Sequence, residues 1–270
     1  MLIAEHRGPM LTQSKIQDPK SFPVLGVQVD AVQIPHVIEQ MEEWIYERSG
    51  THFIAVTNVD SVTRAWHQDY FRQALNAADL TVADGMPLVW VGRLRGHAMK
   101  RRVYGPELFL EFCRTTSAKG YSHFFYGGAA GVPEELADAL AHQCPNLKAV
   151  GTYSPPYRPL TPEEDNEEVR MINQAAPDVL WVGLGGLKQE RWMFEHRHLL
   201  NVPVIVGVGA AFDFHTGRLP QAPRWMREHG LEWLFRLWQE PKRLWRRYLI
   251  YNTQFVFLVV LEFLGIHRQY

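Results

Sequence analysis

One carboxylate in the chain stands where a short apolar run meets a Gly-Pro break, in the stretch Leu80-Thr81-Val82-Ala83-Asp84-Gly85-Met86-Pro87. Leu80 to Ala83 reads as a buried strand, Gly85 supplies a permissive backbone, and Pro87 suits the first turn of a helix carrying Leu88, Val89 and Val91. Asp84 then sits at a strand's carboxyl end, facing the crevice where open α/β sheets place their chemistry. Taken alone, an Asp there reads more readily as a helix cap. What argues for a site is recurrence: Thr57-Asn58, Gln189-Glu190 after Gly185-Gly186, and Asp213 after Gly209 also follow apolar runs. A carboxylate beside neutral hydrogen-bonding groups, glycine turns at Gly127-Gly128 and Gly185-Gly186 open to phosphate, and Arg102 nearby suit transfer from a phosphorylated donor to a hydroxyl.

The elements that must position these residues alternate. Val24 to Val29 reads as a strand and Pro35 opens a helix with Val37, Ile38, Met41, Trp44 and Ile45 at helical spacing. Phe53 to Val56 is a second strand, and Val62 through Leu75 carries one helical pattern. A basic surface loop, 93–102, follows the helix after Asp84, and Gly105-Pro106 opens another helix. Further strands are expected at Ser122–Tyr126, Ala149–Tyr153, Val179–Leu184 and Val204–Val208, with Thr161-Pro162-Glu163-Glu164 as a strong helix start. This rhythm predicts an α/β fold, a Rossmann-like, mostly parallel sheet with helices on both faces, over residues 22–212. Residues 1–21 are mixed and polar, read as a flexible lead-in without a secretory signal.

Lys and Arg number 28 against 29 Asp and Glu, so no global field favours nucleic acid. The two cysteines, Cys113 and Cys144, lack metal-ligand spacing and suit a reducing compartment. No glycine turn keeps the G-x-G-x-x-G spacing with a ribose-binding acid behind it, which weakens a dinucleotide oxidoreductase, and no Walker lysine motif is present. Asp165 and Glu167 lie in polar first turns, and His196 and His198 do not share a helix face, so no metal and no cofactor are expected.

Beyond Phe212 the composition changes. Over 213–270, Lys242, Arg243, Arg246 and Arg247 are the densest part of a basic run interleaved with Trp225, Trp233, Trp238, Trp245 and Tyr248, with only a few acids among them. Pro241 is expected to divide two helices, the second running into an apolar stretch, Phe255 to Leu261, broken by Glu262 and too short for the roughly 20 residues of a spanning helix. Such a helical appendage can lie in a membrane interface. The alternative, given less weight, is an amphipathic pair packed on the core, with Arg stems covering apolar surface.

Taken together, Thr57-Asn58, Ala83-Asp84-Gly85, Arg102-Val-Tyr-Gly105-Pro-Glu-Leu108, Phe125-Tyr-Gly-Gly128, Val182-Gly-Leu-Gly185 with Lys188-Gln189-Glu190-Arg191, and Gly207-Val-Gly-Ala-Ala-Phe-Asp213 resemble the WecG/TagA/CpsF family of bacterial glycosyltransferases. The resemblance implies an inverting transfer of a sugar such as N-acetylmannosamine or glucose from a UDP-sugar donor to a lipid-diphosphate-linked saccharide acceptor. The setting it implies is the cytoplasmic face of the plasma membrane, with the protein peripheral there. It makes Asp84 the general base, sets Asn58, Arg102, Gln189 and Asp213 around donor and acceptor with Thr57 and Glu190 beside them, and gives the appendage a role at the membrane surface. Val56 stands where many members carry Thr, and Leu187 where Pro is usual. A non-catalytic nucleotide-sugar-binding protein recruited to membranes is the rival reading.

Overall fold

The computed structural model describes residues 20–266, so the lead-in expected over 1–21 lies outside it except at its end, where Ser21 already begins a strand. The expected first strand is a hairpin: β1 (Ser21–Val24) turns back into β2 (Val27–Asp30), antiparallel. Leu25 and Gly26 both take positive φ, 51° and 80°, the two-residue turn whose twist matches paired strands. Then follow α1 (Ile34–Glu47), β3 (His52–Thr57), α2 (Val59–His67) and α3 (Asp69–Asn76). The helical pattern from Val62 to Leu75 is therefore two helices, broken at Gln68, whose backbone is extended without any Gly or Pro to announce it.

The chain continues through β4 (Leu80–Ala83), α4 (Met86–Leu94), α5 (Gly105–Thr116), β5 (Ser122–Gly127), α6 (Val132–Gln143), β6 (Lys148–Tyr153) and α7 (Pro162–Ala175). After these come β7 (Val179–Gly183), α8 (Gly186–His196), β8 (Val204–Gly207) and α9 (Ala211–His215). Thr161 and Glu164 form the reciprocal capping box that the sequence signals at the start of α7.

The strands form one eight-stranded sheet in the order β1-β2-β4-β3-β8-β7-β5-β6, parallel except for the terminal hairpin. Side-chain alternation divides the core. Ile54, Val56, Phe125, Trp181 and Val206 face α1, α5 and α6. Phe53, Phe124, Tyr126, Leu180 and Ile205 face α7 and α8. Trp181, fully buried, donates its indole N–H to His123 Nδ1 at 3.0 Å. Burial pulls the His123 imidazole down to about 4, which keeps it a neutral acceptor at physiological pH. At the far edge, the β5–β6 ladder shifts register between His123 and Phe124.

The segment after α9 is α10 (Arg224–Glu228), α11 (Glu232–Gln239), α12 (Pro241–Arg246), a π-helical stretch Arg247–Tyr251 and α13 (Asn252–Phe263). The expected pair of helices is thus four, with Pro241 opening α12. A domain boundary drawn at 212 would fall inside α9. Phe255, Leu258 and Val259 of α13 join the core formed by the β1–β2 hairpin, α2 and α4. Glu262, read as a polar break in an apolar stretch, points inward and pairs with Arg95 at 2.9 Å. The opposite side of α13 exposes Val256, Phe257 and Val260, and Leu264 just beyond its end is exposed as well. No helix among the described residues is long and apolar enough to cross a membrane.

Two glycines let the sheet's exits close on one another. A Cβ on Gly127, whose φ is 120°, would lie 2.6 Å from the carbonyl carbon of Gly183, while one on Gly183 would strike the Phe212 ring at 2.9 Å. Overpacking costs about 1–3 kcal/mol, and the left-handed backbone adds about 1–2 for a residue bearing a Cβ. Gly127→Ala is therefore expected to cost about 2–5 kcal/mol by urea unfolding. Gly96→Ala, at φ 88° with open space around it, should cost only the backbone part, about 1–2 kcal/mol.

Candidate active site

Because the sheet is parallel from β2 onward, the carboxyl ends of β4, β3, β8, β7 and β5 open on one edge, and Asp84, Asn58, Gly209, Gly185 and Gly128 follow them there. Asp84 is held at the crest of β4 by its own backbone: its N–H donates to the Thr57 carbonyl at 2.8 Å, and its carbonyl accepts from Arg102 Nη1 at 3.0 Å. Its carboxylate accepts the Gly105 N–H at 3.2 Å, at the start of α5. It makes no cap for α4, whose N-cap position is Gly85. The residue keeps some exposed surface, yet its surroundings desolvate it: burial pushes the carboxyl up to about 6, Arg102 pulls against that rise and Glu232 adds to it.

Arg102, expected in a surface loop, is enclosed instead. Its Nη2 pairs with Glu232 of α11, both side chains being only 12% exposed, and its guanidinium lies 4.2 Å over the Tyr104 ring. The Tyr104 hydroxyl donates to Glu232 Oε1 at 3.1 Å. Burial first and Glu232 second push that phenol far up, so it stays a donor. Glu232 is the site residue that motif reading misses, and Tyr104, quoted only as part of the run from Arg102 to Leu108, gains its role from this contact. The available signal is an acid standing among cations in the basic segment, a position that points inward to a partner.

The other expected residues divide. Asn58 Oδ1 accepts the Ser61 N–H at 3.2 Å and so caps α2, leaving its Nδ2 without a hydrogen-bond partner among the described residues. Thr57 is fully buried and its Oγ1 has no hydrogen-bond partner among the described residues; its backbone carbonyl holds the Asp84 N–H. Gln189 and Glu190, expected to face substrate directly, are 4% and 2% exposed. Gln189 Oε1 takes the Gly209 N–H at 3.0 Å and Nε2 donates to Glu190 Oε1, an arrangement that braces the turn leaving β8. Gly207 is what admits that amide: a Cβ there would meet Gln189 Nε2 at 3.0 Å. Asp213 stays half-exposed in the first turn of α9.

The glycine turns divide as well. Gly185 and Gly186 have positive φ, and nothing lies within 4 Å of where a Cβ on either would stand, so open space covers the first turn of α8. The Gly128 N–H is instead taken by Gly183 O at 3.0 Å, and Gly127 serves the close strand packing described above, which accounts for both without a phosphate. A cleft of about 520 Å³ lies at the opposite edge, lined by Arg48, His52 and Arg197 among others. Its arginines are already paired, with Asp178 and Asp79, and it is remote from Asp84. Among the described residues no group of three or more His, Cys, Asp or Glu side chains converges as a metal site would require.

The family model described as "Glycosyl transferase WecG/TagA/CpsF family" matches residues 22–269. The chain belongs to that family. It is similar to a Bacillus spizizenii protein named N-acetylglucosaminyldiphosphoundecaprenol N-acetyl-beta-D-mannosaminyltransferase, with 30% identity over 224 residues, 82% of this chain and 85% of that one. A Bacillus subtilis protein of the same name is 31% identical over 182 residues, 67% of this chain and 68% of that one. One from Staphylococcus aureus strain MW2 is 27% identical over 224 residues, 83% and 86% of the two chains. The chain is accordingly a glycosyltransferase with an α/β core and a C-terminal helical segment.

The raised Asp84 carboxyl has a consequence for stability in this glycosyltransferase. An acid whose pKa is higher folded than unfolded holds more protons in the native state, so its contribution falls as pH rises from about 4 to about 6 and is constant above. Asp84→Asn removes that dependence. Urea midpoints of the two proteins should therefore separate in favour of the Asn variant between pH 4 and 7, and a gap of constant size across that range would contradict the burial of this carboxylate.

Proposed function

We propose that this glycosyltransferase moves a hexosyl or N-acetylhexosaminyl group, with inversion, from a UDP-sugar to a polyprenyl-diphosphate-linked saccharide during cell-surface polysaccharide synthesis. The observation that carries the reading is Asp84: a carboxylate at the sheet's carboxyl edge, ionised at neutral pH yet basic enough, at about 6, to accept a proton. In the proposed reaction the acceptor hydroxyl gives its proton to Asp84 while its oxygen attacks the anomeric carbon. The bond from that carbon to the diphosphate oxygen breaks on the opposite face, and UDP leaves. The N-terminus of α8, with Gly185 and Gly186 open over it, is the group proposed to meet the diphosphate charge, while Arg102, already paired with Glu232, is proposed to act through Asp84. Asn58 Nδ2 and the half-exposed Asp213 are proposed to hold sugar or nucleoside hydroxyls.

The relatives' names support N-acetylmannosamine as the sugar and N-acetylglucosaminyl-diphosphoundecaprenol as the acceptor. A lipid-anchored acceptor calls for a protein seated on the inner face of the plasma membrane. Support for that seat comes from the exposed residues of the segment from α11 onward: Trp238 is 82% exposed, and Trp245, Leu249, Phe257, Leu264, Lys242 and Arg246 are exposed as well. The side chains of Arg243 and Arg247, expected in the same basic cluster, lie outside the described residues.

Asp84→Asn should lower UDP release in the presence of lipid acceptor by about a hundred- to ten-thousand-fold while leaving donor binding intact. A non-catalytic nucleotide-sugar binder would release no UDP in the first place. Turnover of the unaltered protein should persist in EDTA; its loss there and return with magnesium would contradict the metal-free scheme.

For the membrane seat, outward-facing substitutions test more cleanly than truncation, because α13 also covers the core. Val256→Ser with Phe257→Ser, or neutral replacement of Lys242 and Arg246, should weaken co-sedimentation with anionic vesicles. Each cation is worth about 1 kcal/mol there at physiological salt. Unchanged co-sedimentation of both variants would remove the membrane role and leave the transferase.

A further inference from the structure

Glu232 is the first residue of α11, a helix of the C-terminal segment, yet its carboxylate reaches the centre of the candidate site. It pairs with Arg102 Nη2 and receives the Tyr104 hydroxyl at 3.1 Å. The same guanidinium uses Nη1 to grip the Asp84 carbonyl at 3.0 Å. A single Arg thus bridges the backbone of the proposed base and a carboxylate that stands 130 positions further along the chain. Enclosure of both partners to 12% exposure keeps solvent from screening the charges.

We propose that Glu232 is a positioning residue for Asp84: by fixing and neutralising the Arg102 guanidinium, it orients the base and preserves its basicity. The inference rests on the reading of Asp84 as general base.

The electrostatics follow from who faces whom. Arg102, from the loop after α4, and Arg236, one turn beyond Glu232 on α11, stabilise the Asp84 carboxylate and make it a poorer base; Glu232 opposes them. At the start of α5 the Gly105 N–H also favours the ionised form. On α2 the neighbouring Asp60 is paired with Arg64 at 2.8 Å. Arg227 of α10 lies over the Tyr104 ring, 5.5 Å from its centroid. With Glu232 uncharged, Arg102 and Arg236 act on Asp84 unopposed, and a base of lower pKa takes a proton less readily at neutral pH.

The test is the acid limb of the pH profile for UDP release, measured on the full chain with lipid acceptor. In the unaltered protein the limb should lie near pH 6. Glu232→Gln should move it downward and lower the plateau rate several-fold, whereas Glu232→Asp, which keeps the charge, should leave the limb near its original place. Since Glu232→Gln strands a buried guanidinium and can unfold the site, the paired change Arg102→Gln with Glu232→Gln supplies a second arm. It leaves no unpaired charge, and because the pull of Arg102 on Asp84 exceeds the push of Glu232, its residual activity should show a limb above that of the unaltered protein. A limb unmoved in either variant, beside an inactive Asp84→Asn, overturns the role of Glu232 alone. An active Asp84→Asn overturns the base first and the role of Glu232 with it.

Discussion

Parallel pairing is the constraint from which the rest of this structure follows. Strands that run the same way must all end on the same edge, and each crossover must return a helix across one face of the sheet. The turns after β4, β3, β8, β7 and β5 therefore meet without any residue in them being chosen for proximity. Close approach of those turns then limits composition. Gly127 and Gly183 leave room for each other and for Phe212, and Gly207 leaves room for the Gln189 amide that braces the Gly209 turn. Much of the glycine that looks like a phosphate cradle in the sequence is steric clearance between strand exits.

What is legible in the sequence is whatever depends on local pattern. Apolar runs and the cap at Thr161 announce the β-α alternation, and the Gly-Pro break after Ala83 sets Asp84 at a strand's end. Local pattern does not show that Val24 to Val29 folds back on itself, because the turn rests on a left-handed Leu25 that composition does not announce. Nor does it show that Gln189 and Glu190 lie beneath the floor of the site, since both are polar and both follow a glycine pair. Glu232 is hidden for a different reason: its meaning comes from a partner 130 positions away, and no spacing rule spans that distance.

The C-terminal segment shows why the two readings of its basic, aromatic composition are not exclusive. One side of α13 closes the core over α2 and the β1–β2 hairpin, and the other presents Val256, Phe257 and Val260 outward. Arg95 reaches in from the loop after α4 to neutralise Glu262, so the acid that interrupts the apolar stretch in sequence belongs to the inner side. In the proposed scheme one structural unit therefore carries both chemistry and surface attachment: α11 supplies a charge to the base, and α13 supplies both a lid for the core and an apolar exterior.

The register shift between His123 and Phe124 bears on where the sheet stops. A strand edge is a template for another strand, and β6 is the outermost strand on its side. The pairing to β5 is irregular there, the first residue of β6 is Lys148, and three of its six residues are exposed. Gly151 lies over the Phe124 ring so closely that a Cβ would come within 2.3 Å of it. A ninth strand, from this chain or another molecule, would have to pair with an irregular strand and cover a lysine, which disfavours growth of the sheet through this edge.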